Sequence, residues 1–237
     1  APAIDNIAIT DVTGTSLAGA PLKAGDTATF TITFTEDVTV TGTPRLEVNV
    51  GGQTVSAIYA GDGSLSSAHD FTLTIPEGVN DADGIGLSAD SIALNGAQIE
   101  DAGGNAADLS HDESNPIPGI PVKGSGNPPI TVDTAAPSAP TVSLDTDSGV
   151  SATDKLTNDG SVTATGETGA AIEYNVDGGG WDSSYTAPST DGSYTVQVRQ
   201  ADAAGNVSAV NSITFELDTT GPTVSSLSVD DTELQSG

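Results

Sequence analysis

Carboxylates carry the chemistry open to this chain, and they are gathered rather than scattered. Asp81-Ala82-Asp83-Gly84, Asp101 with Asn105, Asp145-Thr146-Asp147-Ser148-Gly149, Asn158-Asp159-Gly160 and Asp202 with Asn206 sit in turn-rich stretches between apolar-alternating runs. Asp133 and Asp218 close two such runs just before proline-bearing connectors. Calcium takes roughly six to eight oxygens from carboxylates, Asn side chains and backbone carbonyls. Asp-x-Asp beside a glycine puts two carboxylates on a loop tight enough to converge. Each motif alone is also an ordinary turn sequence, because Asp-Gly and Asn-Asp-Gly favour turns without any ion. The set recurs at matching positions in a cysteine-free polyanion, and that points to calcium as the cofactor. The predicted ligands are Asp81, Asp83, Asp101, Asn105, Asp133, Asp145, Asp147, Asn158, Asp159, Asp202, Asn206 and Asp218. Neither Asp-x-Asp loop is an EF-hand, since Leu156 and Ile92 stand where a bidentate Glu is needed. A Gly-Gly-x-Gly-x-Asp nonapeptide is absent too, which removes the parallel β-roll.

Other chemistries find less support. His69 and His111 are the only histidines, and there is no cysteine nucleophile. Ser110-His111-Asp112 are mere sequence neighbours, which a triad neither requires nor implies, so His111 reads as a solvated loop residue. Paired carboxylates suit a glycosidase, but the chain lacks the aromatics that line such a cleft. Trp181, with Tyr174 and Tyr185, offers a stacking surface for a sugar, although one tryptophan in a sandwich usually packs. Asn206-Val207-Ser208 is a sequon inside a repeated loop. Strand propensity accounts for the threonine rows without an ice-binding role. The chain is expected not to be an enzyme.

Five basic residues against 33 acidic ones leave a formal charge of -28 in 237 residues. Such a surface repels nucleic acid and anionic membranes. Hydrophobic residues make up 35%, and their regular alternation argues for folded strands rather than a disordered polyanion. No disulfide can form, so multivalent cations are the expected supplement to a thin core. No apolar run approaches the ~18 residues of a membrane span, and the stretch opening at Ala1-Pro2 carries no basic flank or apolar signal pattern. Any targeting information is expected outside this piece.

The elements that must hold the carboxylates are strands. Ala28, Phe30, Ile32 and Phe34 alternate with threonines over 27–35, the cleanest period-two signal in the chain. Further strands are predicted at Ile4–Val12, over Leu46, Val48 and Val50, at Val55–Tyr59, over Phe71, Leu73 and Ile75, at Ser91–Leu94 and at Gln98–Glu100. Gly51-Gly52 supplies a hairpin turn. A second set falls at Thr141–Leu144, Ser161–Thr165, Ile172–Val176, Trp181–Tyr185, Tyr194–Arg199 and Ser212–Leu217, with Asp177-Gly178-Gly179-Gly180 as a turn. Nothing has a helical period, so the fold class is all-β: tandem immunoglobulin-like sandwiches joined by short calcium-binding linkers.

Asp133 and Asp218 are 85 residues apart, as are Pro137 and Pro222, and Asp145 and Asp230. A junction recurring at fixed spacing means tandem modules, here read as a cut from a longer array. The predicted domains are 1–133 with a proline-rich insertion at 111–129, a shorter repeat at 134–218, and a truncated third module over 219–237. If strands alternate in direction, Asp202 and Asn206 face Asp133, while Asp145, Asp147, Asn158 and Asp159 lie toward Asp218. In the first module Asp81 and Asp83 fall near the outgoing junction and Asp101 near the incoming one. Acidic loops thus meet at the connectors.

Gly25-Asp26-Thr27-Ala28-Thr29-Phe30 to Glu36, Gly42-Thr43-Pro44 through Val50, and Asp101-Ala102-Gly103-Gly104-Asn105 resemble the immunoglobulin-like repeats of giant bacterial adhesins secreted by type I (RTX) systems. Asp145 to Gly149, Thr157-Asn158-Asp159-Gly160 and Asp202-Ala203-Ala204-Gly205-Asn206 are similar to another repeat class of those proteins. The resemblance covers nearly the whole chain except 111–129. It implies an extracellular, bacterial cell-surface extender, stiffened by calcium at its linkers, that projects an adhesive tip. Asp133, Asp218, Asp202 and Asp101 match the family's linker ligands, and Asp81 and Asp83 less closely. The implied partners are neighbouring repeats of a monomeric chain, with no nucleic acid and no membrane insertion. The runner-up is a carbohydrate- or protein-binding accessory module of a secreted protein, and a third reading is a surface-layer subunit. The extender reading predicts a stiff rod in calcium and a hinged pair of sandwiches in chelator.

Overall fold

A computed structural model describes residues 1–14, 19–113 and 129–227. Most of the predicted insertion and the end of the predicted third module lie outside these residues. Among the described residues every regular element is a strand. Two compact units emerge. One comprises Ala1–Ser138 with Glu167–Ala171 and Gln200–Ser208, and the other Ala139–Gly166, Ile172–Arg199 and Ala209–Gly237.

In the first unit, β1 (Ile4–Thr13), β2 (Thr27–Thr41), β3 (Arg45–Val50), β4 (Gln53–Tyr59), β5 (Ser66–Thr74), β7 (Gly86–Ala93) and β8 (Gln98–Asp101) make one sheet. Its order is β1-β2-β5-β4-β3-β7, with β8 on the second half of β2. Strand β2 shows why alternation works: Ala28, Phe30, Ile32 and Phe34 are buried, and the intervening threonines are not. Register then breaks between Thr33 and Val38, and the strand passes from its β5 neighbour to β8. This irregularity lets a single strand serve both layers, so the sheet closes on one core. Phe30, Ile32, Leu46, Val48, Phe71, Leu73 and Ile85 meet there, and β9 (Val132–Asp133) closes the unit with Val132 buried.

His69 staples the break. Its Nε2 donates to Val38 O (3.2 Å) and Ser66 O (2.9 Å), and its Nδ1 accepts from the Tyr59 hydroxyl at 3.1 Å. Gly63 N–H donates to the same hydroxyl, so one buried imidazole ties β2, β5 and the 60–65 loop together.

The second unit is a two-sheet sandwich. One sheet pairs β10 (Thr141–Leu144) with β12 (Val162–Thr165). The other runs β11 (Leu156–Thr157), β15 (Asn211–Leu217), β14 (Gly192–Ala201), β13 (Ala171–Val176). Its fully buried apolar residues are Val196, Val198, Ile213, Phe215 and Leu217, against which Val142, Leu144, Val162, Tyr174 and Tyr185 pack. With so little buried, hydrogen bonds matter more. Tyr194 Oη donates to Thr190 O (2.8 Å) just before its own strand, the tyrosine corner of immunoglobulin-like folds. Tyr185 Oη donates to Gly160 O at 2.6 Å.

The predicted strand at Trp181–Tyr185 is not formed. Only a bridge between Asp182 and Tyr174 appears, because Asp182 Oδ1 turns the chain by accepting from Ser184 N–H and Oγ. Strands β6 (Asn80–Asp81) and β11 were not legible, each being two residues long.

His69→Ala removes buried volume and leaves the Val38 carbonyl and Tyr59 hydroxyl without their partner. The first unit is expected to lose about 2–4 kcal/mol of stability, measured by urea denaturation followed through its amide NMR signals. His69→Phe, which restores volume alone, should recover only part of the loss.

Candidate functional site

The five-residue loops read as repeats are the same object twice. In one, Asp101 N–H donates to Asn105 O (3.0 Å) and Gly104 N–H to Asp101 O (3.0 Å). In the other, Asp202 N–H donates to Asn206 O and Gly205 N–H to Asp202 O, both at 3.1 Å. Gly104 and Gly205 sit at φ +79° and +85°, where a side chain is strained. Asp101 Oδ1 accepts from Gly103 and Asn105 N–H, and its Oδ2 from Asn105 Nδ2 (2.7 Å). Asp202 repeats this with Asn206 N–H and Nδ2, each at 2.9 Å.

Among the described residues the Asp202 loop lacks the counterpart of the Gly103 bond and gains a contact outside the loop. Within the first unit, Asn206 Nδ2 also donates to Asp133 O at 2.8 Å. Asp202, Asn206 and Asp133 therefore lie together, and an amide donor stands between the carboxylate and the carbonyl. Asp133 Oδ1 itself accepts from Ala135 N–H (3.0 Å). Strand β6 pairs with β9, so Asn80 faces Asp133, and Asp81 faces Val132. Asp81 is buried, with Oδ2 on Gly51 N–H (2.8 Å) and Oδ1 on Gly84 and Asp83 N–H. Asp83 is exposed.

The junctions are equivalent in structure as well as in spacing. Asp133 N–H donates to Leu22 O and Leu22 N–H to Thr131 O, a parallel bridge. Asp218 N–H donates to Thr157 O and Glu216 N–H to Lys155 O, where β11 runs parallel to β15. Asp218 Oδ1 accepts from Thr220 N–H as Asp133 Oδ1 does from Ala135, each two residues on.

The third cluster belongs to the second unit. Asp147 Oδ2 accepts from Lys155 N–H (3.1 Å), while its Oδ1 is buried with no hydrogen-bond partner among the described residues. Asn158 Oδ1 accepts from Ser148 Oγ (2.8 Å), and Asp159 Oδ1 from Ser161 N–H (3.0 Å). Burial, then the nearby Asp145 and Asp159 carboxylates, pushes the Tyr185 hydroxyl up to about 12, so both aspartates bear on the same spot.

Against a hard cation these places differ. At Asp81, Asp101 and Asp202 both carboxylate oxygens already accept N–H bonds. At Asp147 one carboxylate oxygen is buried and unused, while Asn158 Oδ1 and Asp159 Oδ1 already accept from Ser148 and Ser161. Among the described residues no three His, Cys, Asp or Glu side chains gather into one metal-holding group.

Sequence reasoning missed Asp191, whose Oδ1 accepts from Thr219 N–H and Oγ1 and whose Oδ2 accepts from Thr220 Oγ1. It also missed Gln200, buried, which accepts from Glu167 N–H and donates to Ser138 O. Asp191-Gly192 was a visible turn signal; Gln200 carried none. His111 is not a solvated loop residue. It is partly buried, with Nε2 accepting from Ser91 N–H (2.9 Å) and lying 3.1 Å from Ser91 Oγ. Its Nδ1 faces the Asp112 carbonyl rather than a carboxylate, and its lone pair is taken by a backbone N–H, so the pair is no activated nucleophile.

Residues 133–219 match the family of bacterial Ig-like domains. The match runs from one junction aspartate to the residue after the other. The fold is all-β and immunoglobulin-like, a class that typically supplies non-catalytic modules and is often found outside the cell or on its surface. No curated protein matches the chain. Among solved structures, the fibronectin(III)-like modules of Clostridium thermocellum CbhA align over 87% of this chain and 94% of theirs, at 17% identity and a TM-score of 0.32.

Hydrogen bonds hold the Asp191 carboxyl below the usual aspartate range, the Thr219 hydroxyl most strongly and then that of Thr220. A depressed folded value means stability that is fully present above the unfolded pKa of about 3.9 and lost as pH falls through the folded value. Asp191→Asn should therefore destabilise the second unit at neutral pH, and its gap to wild type should close on acidification below about pH 4, read from paired denaturation curves. Asn206→Ala should cost about 1–2 kcal/mol and speed amide exchange across 202–206, which exchange measured by mass spectrometry would detect.

Proposed function

We propose that this chain is a non-catalytic extender segment of a bacterial cell-surface adhesin, a spacer stiffened by calcium. The observation that carries this reading is the recurring junction. Asp133 and Asp218 each end a closing strand, each strand bridges in parallel to an early segment, and each carboxylate caps the residue two places on. A chain that starts its next stretch in the same way every 85 residues is built for tandem repetition. The Ig-like match over 133–219 supports a modular, extracellular setting.

Calcium is placed by proposal first at Asp147, with Asp145, Asn158 and Asp159. At the junctions, Asp133 with Asp202 and Asn206, and Asp218, are the proposed ligands. Asp101 with Asn105, and Asp81 with Asp83, follow. When bound, the ion supplies positive charge that relieves carboxylate repulsion and accepts oxygens left without an N–H. Asn206 already ties Asp202 to Asp133 without it, so an ion there takes over the work of the amide donor, with Asn206 offering its carbonyl oxygen instead.

Extracellular calcium modules bind with Kd of roughly 10⁻⁴ to 10⁻³ M, and about a hundredfold excess adds ~2.7 kcal/mol per ion. The second unit's melting midpoint should rise in millimolar calcium. Asp147→Asn should abolish most of that rise without lowering the midpoint in chelator, because it removes an unpartnered buried charge. A midpoint indifferent to calcium removes the ion from the account. Small-angle scattering tests the spacer role itself: the maximum dimension should lengthen and sharpen with calcium, and a distance distribution identical in chelator contradicts stiffening.

A further inference from the structure

Strand β7 carries an irregularity that opens a pocket in the first unit. Leu46 faces Ile92 and Val48 faces Leu87, so five steps of β7 span two steps of β3. The extra residues include Asp90 at φ +54°, a conformation uncommon outside glycine. His111 holds them out: Asp90 N–H donates to His111 O, His111 N–H to Asp90 Oδ1, and Ser91 N–H to His111 Nε2. The concavity beside this irregularity is open to solvent, offers about 490 Å³ and is lined on its polar side by Glu47, Asn49, Thr54, Ser88, Asp90 and Ser91.

That volume is the size of a small-molecule site rather than an ion cage. Glu47 accepts one hydroxyl, from Ser56, on both of its oxygens, and so retains acceptor capacity. Asp90 Oδ2 accepts no hydrogen bond among the described residues, and Asn49 Oδ1 is taken by Gly52 N–H, which leaves its Nδ2 as a donor. Three hydroxyls complete the lining, and among the described residues no Lys, Arg or aromatic side chain takes part. Two carboxylates with no described cation in the lining disfavour anions and favour an ammonium. The hydroxyls and the amide suit a hydroxylated scaffold. We propose that this pocket binds a small amine-bearing polyol, the chemistry of an amino sugar, with Glu47 and Asp90 taking the ammonium. This goes beyond the spacer reading and does not depend on it.

The test is titration of the full ¹⁵N-labelled chain with glucosamine, with N-acetylglucosamine as the neutral control and calcium as the metal control. Glucosamine should shift the amide signals of 47–54 and 88–93 saturably, with Kd of about 1–10 mM. N-acetylglucosamine should bind about tenfold more weakly. Glu47→Gln and Asp90→Asn keep size and hydrogen bonds, and Asn tolerates a positive φ, so both should fold and each should weaken glucosamine about tenfold. Equal binding of the two sugars, unchanged binding in both variants, shifts with calcium alone, or no localised shift would each overturn the proposal.

Discussion

Aspartate carboxylates accepting backbone N–H bonds are the interaction on which this structure depends. Asp81 takes three such donors, Asp101 takes two and an amide, and Asp133, Asp159, Asp182, Asp202, Asp218 and Asp191 each hold a turn in the same manner. A chain of charge -28 must keep its carboxylates hydrated or hydrogen-bonded. Spending them on turns does both tasks at once, satisfying N–H groups that short loops leave over. Among the described residues ion pairs are few, and apart from the chain terminus they join Lys23 to Asp26 and Arg199 to Glu173.

The two units use this interaction to different extents. The first has a broad core in which Phe30, Phe71, Leu46 and Leu73 are wholly buried, and its capped aspartates shape loops around a fold that apolar burial already secures. The second buries few apolar side chains completely. Its Asp159 and Asp191 caps, its two tyrosine hydroxyl bonds and Arg199 stacked 4.2 Å over Trp181 do proportionally more to hold the sandwich. An unpartnered oxygen such as Asp147 Oδ1 is costly in that setting.

How far the sequence could be read follows the range of the interactions. Strand β2 was legible because its faces differ at every residue, and Thr141–Leu144 because turn signals bound it. The Trp181–Tyr185 strand failed because Asp182 bends the chain locally, a side-chain competition that alternation does not register. The Asp101 and Asp202 loops were visible as a repeated motif. Their partners were not, since whether a carboxylate meets an ion or an N–H depends on loop geometry rather than composition. Asp191 joined a turn signal to threonines nearly thirty residues on, and the β7 pocket arises from a register break pinned by His111. The distant partner leaves no local trace in either case.

Carbon-detected NMR titration of the aspartate side chains reads the state of these carboxylates directly. Asp101, Asp159 and Asp191 should titrate below the ordinary aspartate value of about 3.9, because Asn105, Ser161 and Thr219 respectively donate to their charged forms. Titration of all three at the ordinary value, in a chain that remains folded, would contradict the claim that hydrogen-bonded aspartates hold the turns of this protein together.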